Sequence, residues 1–264
     1  MTIITSRYAP VPLTGLSITE RLFQGLEHRP GETVLIDGPT GRGVTAGALM
    51  EGIRRLAGGL TERGQGKGAV TALMAPNIPE YVTVFHGVAW AGGTITTINP
   101  TYTAEELRHQ VNDSGATMLV TVAPFLDTAR AGAEGTKVRE IVVIGEAEGA
   151  TPLSALMGTP IASQVPVDVE RDVVVLPYSS GTTGLPKGVM LSHRNLVVNV
   201  DQALAAGDAN PGDWTVAFLP FFHIYGLTVM MNMFLGGGAN LVTLPRFDLE
   251  LFLRLVQEHR ARQL

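Results

Sequence analysis

The chain of 264 residues contains no cysteine. That excludes a disulfide framework, a thiolate nucleophile and any zinc or iron–sulfur centre held by sulfur. Charge is sparse as well: Asp, Glu, Lys and Arg supply 16% of the residues, and acids exceed bases to leave a formal net charge of −5. This balance argues against a nucleic-acid binder working through a broad basic surface. No window reaches the roughly 18 uncharged apolar residues that a membrane-crossing helix needs, and MTIITSRYAPVPL lacks a basic stretch followed by a long apolar one. A soluble, cytoplasmic protein is expected. The hydrophobic share of 45% is that of an ordinary globular protein, and the length allows one large domain or two smaller ones.

Short apolar runs alternate with helical patterns from one end to the other. Strands are predicted at Thr33 to Asp37, Val70 to Met74, Thr94 to Ile98, Thr117 to Val122, Ile141 to Ile144, from Val173, at Trp214 to Leu219 and at Asn240 to Leu244. Between them lie helices at Ala48 to Leu60, Pro79 to Ala91, Thr103 to Gly115, Phe125 to Ala131, Ser192 to Ala206, Tyr225 to Leu235 and Leu249 to His259. Leu49, Ile53, Leu56 and Leu60 share one face, Thr103 and Glu106 make a capping box, and Gly115 suits a C-terminal cap. Most strands are apolar on both faces, as a parallel sheet covered by helices requires. The fold class is therefore α/β, doubly wound. Gly145 to Asp168 reads as a surface loop with one short helix near Leu153 to Met157.

Two glycine-rich stretches invite a ligand. Gly41-Arg42-Gly43-Val44-Thr45-Ala46 fits the G-x-G-x-x-A form of a dinucleotide fingerprint, but so short a match is weak in a chain with 31 glycines, and it reads as a turn into a helix. Val173 to Gly188 reads VVVLPYSSGTTGLPKG. Ser179, Ser180, Thr182 and Thr183 offer hydroxyl donors, Gly181 and Gly184 let backbone N–H groups approach an anion, and Lys187 adds a mobile charge. That is the composition of a polyphosphate cradle, although a solvated loop has the same ingredients. Gly188 stands where a Walker A motif would have Ser or Thr.

The order of these residues resembles the phosphate-binding signature of the adenylate-forming enzymes, the superfamily of acyl-CoA synthetases, luciferases and nonribosomal adenylation domains. GVMLSHRNL (Gly188 to Leu196) and LPFFHIYGL (Leu219 to Leu227) follow in that family's order and spacing. Together with LPRFDLELF (Leu244 to Phe252), the pattern is most similar to 4-coumarate:CoA and cinnamate:CoA ligases and their fatty-acyl relatives. The resemblance implies ATP, Mg²⁺ and CoA as cofactors and a small carboxylic acid as substrate. By it, Ser179, Ser180, Gly181, Thr182, Thr183, Gly184 and Lys187 bind the ATP phosphates, with Thr183 and Lys187 catalytic. His223 lines the acyl pocket beside the reacting carboxylate, Tyr225 and Gly226 border the acyl group, and Arg246 meets CoA. Phe221 and Phe222 are read as packing residues, Phe85, Trp90 and Trp214 as core, and His193 as part of a helix start. His28, His86, His109 and His259 show no metal-ligand spacing, and no metal site is expected.

The resemblance further implies the large N-terminal domain of such an enzyme, with segments near 1–63 and 207–264 sharing one sheet and about 64–206 forming the other. The family's aromatic-Gly-x-Thr-Glu and Thr-Gly-Asp motifs and its C-terminal domain are not found in the chain. An N-terminal portion inactive alone is the expectation, associating with itself or with a complementing chain. A fatty-acyl-CoA synthetase, half of a split enzyme and a noncatalytic nucleotide- or acyl-binding module are the alternatives.

Overall fold

A computed structural model describes residues 6–179, 186–207 and 209–262. In chain order it contains α1 (Ile18–Gln24), β1 (Thr33–Asp37), β2 (Gly43–Thr45), α2 (Ala46–Glu62), β3 (Val70–Met74), α3 (Pro79–Trp90), β4 (Thr94–Thr97) and α4 (Ala104–Ser114). Then come β5 (Met118–Val122), α5 (Leu126–Ala133), β6 (Glu140–Ile144), β7 (Thr151–Pro152), β8 (Val173–Ser179), β9 (Lys187–Gly188), β10 (Leu191–Ser192) and α6 (His193–Ala206). The last part holds β11 (Trp214–Ala217), a π-helix (Gly226–Met233) that runs into α7 (Phe234–Gly236), β12 (Asn240–Thr243) and α8 (Leu249–His259).

The strands form two sheets. The smaller has the order β11-β12-β1-β2, so Leu35 pairs in parallel with Leu241. The larger runs β10-β8-β4-β3-β5-β6-β7, with β9 folded back on β8. Its pairs from β8 to β7 are parallel, and only β9 and β10 meet β8 antiparallel. From β3 the chain passes to β4 on one side and then to β5 on the other. This reversal of winding leaves a crevice at the carboxyl ends of the strands.

Alternation along the strands assigns each side chain to a layer. In β5, Met118 and Val120 point into the central core, whereas Leu119 joins Leu107, Val111 and Ala129 of α4 and α5 on the outer face. In β12, Leu241 faces the central core and Val242 faces Leu255 of α8. Five layers result, with α1, α2, α3, α6 and the π-helix held between two sheets, and α4–α5 and α8 outside. Close contact in the middle layer requires glycine. A Cβ at Gly59 of α2 would lie 1.7 Å from the Leu156 carbonyl oxygen, and one at Gly58 would lie 1.9 Å from that of Thr159.

Several elements depart from the sequence reading. Ile18–Gln24 forms a helix that was not expected, started by a capping box between Ser17 and Glu20. The GRGVT segment is more than a turn: Gly43–Thr45 pairs antiparallel with β1. Tyr225 to Leu235 was expected as an α-helix, but its core is π-helical, with the Asn232 amide donating to the carbonyl of Leu227 at 2.9 Å. A local pattern of apolar residues cannot separate these two windings.

Candidate active site

The site lies where both sheets end. Strand β8 delivers Pro177, Tyr178 and Ser179, and β9 returns beside it, with Ser179 opposite Lys187 and Tyr178 opposite Gly188. The two ends of the donor-rich loop are thus cross-strand neighbours. Gly188 lies close against Tyr178: a Cβ there would stand 3.1 Å from its ring, which would have to give by a few tenths of an ångström. The Tyr178 hydroxyl donates to Asp113 at 2.6 Å, and burial together with this carboxylate raises its pKa. Below the loop, His109 Nε2 donates to the Pro186 carbonyl at 3.2 Å. Ser180, Gly181, Thr182, Thr183 and Gly184 lie outside the described residues.

The stretch leaving β11 carries His223, and residues of the larger sheet fix its path. Asn77, buried just past β3, donates to the carbonyls of Ala217 and Leu219 at 2.9 and 2.8 Å and accepts the Phe221 N–H at 2.8 Å. Thr97 at the end of β4 donates to the Phe222 carbonyl at 2.8 Å. Both sheets are therefore stapled at the cleft. A buried side chain that satisfies three backbone groups is costly to lose, since each would be left unpaired.

A cavity of about 430 Å³ opens between these parts. Ser179, Tyr178, Thr97, Asn99, Phe222 and His223 contribute to its wall, and among the described residues its lining contains no carboxylate. Such a wall suits an anionic ligand with an apolar body. His223 is exposed, and its Nδ1 accepts the Tyr225 N–H at 3.3 Å, which leaves Nε2 as the ring atom available to a ligand. Ser179 and His223 thus meet at one cavity, with Lys187 one ladder step away. Tyr225 is 54% exposed and does not line the cavity. Gly226 is buried, where a Cβ would come within 2.1 Å of the Pro220 carbonyl oxygen. Arg246 does not line this cavity; it borders a groove with Pro39 and Arg254 and a second cavity that shares Asn99 and Phe222 with the first.

Thr97, Asn99, Tyr102, Gln110, Tyr178 and Phe222 are wall residues that the sequence reading did not select. The available signal was position: Thr97, Asn99 and Tyr178 sit at or just past carboxyl ends of parallel strands, where open α/β sheets bind ligands. Phe221 is buried packing, whereas Phe222 reaches the cavity. Two histidines are buried in the middle layer instead. His86 bonds Thr19 at 3.0 Å, and burial, then the neighbouring His193, pushes its pKa down to about 3 against a smaller opposing effect of Asn232. Burial likewise lowers His193 to about 4, partly offset by Asp172.

A family model described as AMP-binding enzyme matches residues 22–264. The chain belongs to this family of adenylate-forming enzymes. Among AMP-binding relatives, it is 36% identical over 253 residues to 4-coumarate--CoA ligase 5 of Oryza sativa subsp. japonica, an alignment that covers 92% of this chain and 46% of that protein. Against probable 4-coumarate--CoA ligase 1 of Dictyostelium discoideum the identity is 31%, with 98% and 51% covered. The chain spans about half the length of the curated relatives it matches. The fold matches a long-chain-fatty-acid-CoA ligase from Archaeoglobus fulgidus with a TM-score of 0.89 at 26% identity, over 97% of this chain and 52% of that one. Its mostly parallel sheets with helices on both sides are those of the family's N-terminal domain.

Proposed function

We propose that the chain supplies the phosphate-binding loop and part of the acyl pocket of an ATP-dependent acid:CoA ligase acting on an aromatic acid of the 4-coumarate or cinnamate type. The observation that carries this reading is the meeting of Ser179 and His223 at one cavity, with Lys187 paired to Ser179. In the proposed reaction the acid's carboxylate attacks the α-phosphorus of ATP and pyrophosphate leaves, giving an acyl-adenylate; the CoA thiol then attacks the acyl carbon, a thioester forms, and AMP and the thiol proton are released. Charge grows on the departing phosphates, and donors fixed in advance stabilise it. Lys187, Ser179 and the hydroxyl and N–H groups of Ser180, Gly181, Thr182, Thr183 and Gly184 fill that role. His223 orients the carboxylate through Nε2, Tyr225 and Gly226 support the acyl side, and Arg246 meets CoA in its groove. Mg²⁺ bound with ATP would share the charge of the phosphates that these donors meet. The setting that goes with this reading is the cytoplasm.

Calorimetric titration of ATP into the chain tests it. Lys187→Ala should weaken ATP binding by about tenfold to a hundredfold, the worth of one charge-assisted hydrogen bond, while leaving 4-coumarate binding unchanged. Equal ATP affinity in the two proteins removes Lys187 from the site. ATP–pyrophosphate exchange with 4-coumarate and cinnamate, measured for the chain alone and with a complementing chain, then tests the chemistry; binding without exchange is expected of the chain alone.

A further inference from the structure

Helix α4 is locked to the larger sheet on one face and meets the base of the donor-rich loop with another. Leu107 and Val111 pack with Leu119 of β5 and Ala129 of α5. The buried Gln110 amide donates to the Thr96 hydroxyl at 2.8 Å and to the Thr97 carbonyl at 3.0 Å, which ties the helix to the end of β4. His109 and Asp113 stand four residues apart and so share a face. His109 Nε2 donates to the Pro186 carbonyl, and Asp113 accepts from the Tyr178 hydroxyl. Tyr178 immediately precedes Ser179 and Pro186 immediately precedes Lys187, the pair that faces across the β8–β9 ladder. That ladder is weak by itself, because β9 is two residues long and short two-stranded pairings are marginal in water. Close packing does not support it either: a cavity of about 380 Å³, lined in part by Tyr102, His109, Tyr178 and Pro186, lies between α4 and the loop base. The two hydrogen bonds span this gap.

We infer that His109 and Asp113 are positioning residues for ATP: from α4 they hold the two sides of the β8–β9 ladder so that Ser179 and Lys187 stand ready for the phosphates. This rests on the reading of Ser179 and Lys187 as phosphate donors. Neither α4 side chain meets the nucleotide itself. The Asp113 carboxylate carries the same sign of charge as a phosphate and is engaged by Tyr178, and the His109 Nε2 proton is engaged by Pro186. Their effect is preorganisation, since a donor already held in place loses less freedom when the ligand arrives. Two consequences follow from acting at one remove. Position 109 needs only an N–H donor and position 113 only an oxygen acceptor, so the neutral amides of Gln and Asn can serve in their place. His109 acts through the residue after Pro186, so its contribution shrinks once Lys187 is gone.

The test is calorimetric titration of the 264-residue chain with ATP and Mg²⁺, each variant being checked by its thermal melt. His109→Ala and Asp113→Ala should each weaken ATP binding by roughly three- to tenfold. Tyr178→Phe, which removes only the hydroxyl, should match Asp113→Ala and keeps the test open if the latter fails to fold. His109→Gln and Asp113→Asn should retain the unaltered affinity, and His109→Ala should leave 4-coumarate binding unchanged. Added to Lys187→Ala, His109→Ala should cost little more. The inference is overturned if folded His109→Ala and Tyr178→Phe bind ATP as tightly as the unaltered chain, if Gln and Asn fail to restore binding, or if His109→Ala costs as much without Lys187 as with it. Equal ATP affinity of the unaltered chain and Lys187→Ala, or no ATP binding by either, would instead overturn the phosphate-site reading on which the inference stands.

Discussion

Helices α3 and α8 are of similar length and both follow a parallel strand, yet they live in different surroundings. Ten of the twelve residues of α3 are buried, including Tyr81, Phe85 and His86, because a sheet lies on each side of it. Only Leu255 of α8 is buried, and Leu249 and Leu253 stay exposed at 60% and 57% beside Phe247. The middle layer therefore tolerates no added atom and few charges, whereas the outer layer over the small sheet is loosely committed. Both β8 and the His223 stretch emerge against the rigid layer, which gives the candidate site its fixed frame.

Substitutions and pH can break that contrast. Among substitutions the largest effect is expected from Gly59→Ala, since its Cβ would overlap the Leu156 carbonyl and either α2 or the 153–159 segment must move. A loss of about 3 kcal/mol in urea unfolding is expected; a loss below about 0.5 kcal/mol would mean that the middle layer yields. Acid comes next. His86 and His193 are held neutral when folded but titrate near pH 6.5 when unfolded, so below that pH the unfolded chain takes up more protons. Stability should be full above about pH 6.5 and fall as pH drops, until it levels near pH 4 for His193 and pH 3 for His86, with a slope of up to about 1.4 kcal/mol per pH unit for each ring. Urea midpoints at pH 7, 6 and 5 measure this, and a flat series would show that neither ring is sealed from water. The smallest effect belongs to α8: Leu253→Ser should change stability by no more than about 0.5 kcal/mol, and a larger loss would show that the outer face is packed against something.

Most of the architecture was legible because parallel strands advertise themselves as apolar runs and helices as caps and stripes. Thr103 with Glu106 and the left-handed Gly115 mark α4 at both ends in the sequence as they do in the structure. The short pieces were not legible. β7, β9 and β10 are two residues each, too short to show a period, and they exist because a neighbouring strand offers its edge. At the candidate site, motif order pointed to Ser179, Lys187 and His223, which the structure brings close to one cavity. Asn77, Thr97 and Phe222 were not, since what makes them matter is the approach of segments about 140 residues apart, and no local pattern records that. His86 was invisible for the same reason: one histidine in an apolar helix looks alike whether one sheet covers it or two.

The pairing of β1 with β12 sets a schedule for synthesis. Leu35 leaves the ribosome long before Leu241, its partner in the parallel ladder. At usual translation speeds the delay is roughly 10–40 s. During that time β1 has only the short β2 on one flank and an open edge on the other, the arrangement most prone to pairing with another chain. The larger sheet can close in the interval, because β3 to β8 are contiguous in the chain. The nascent protein therefore carries a closed larger sheet beside a waiting strand, whose open edge is where another copy could pair with it.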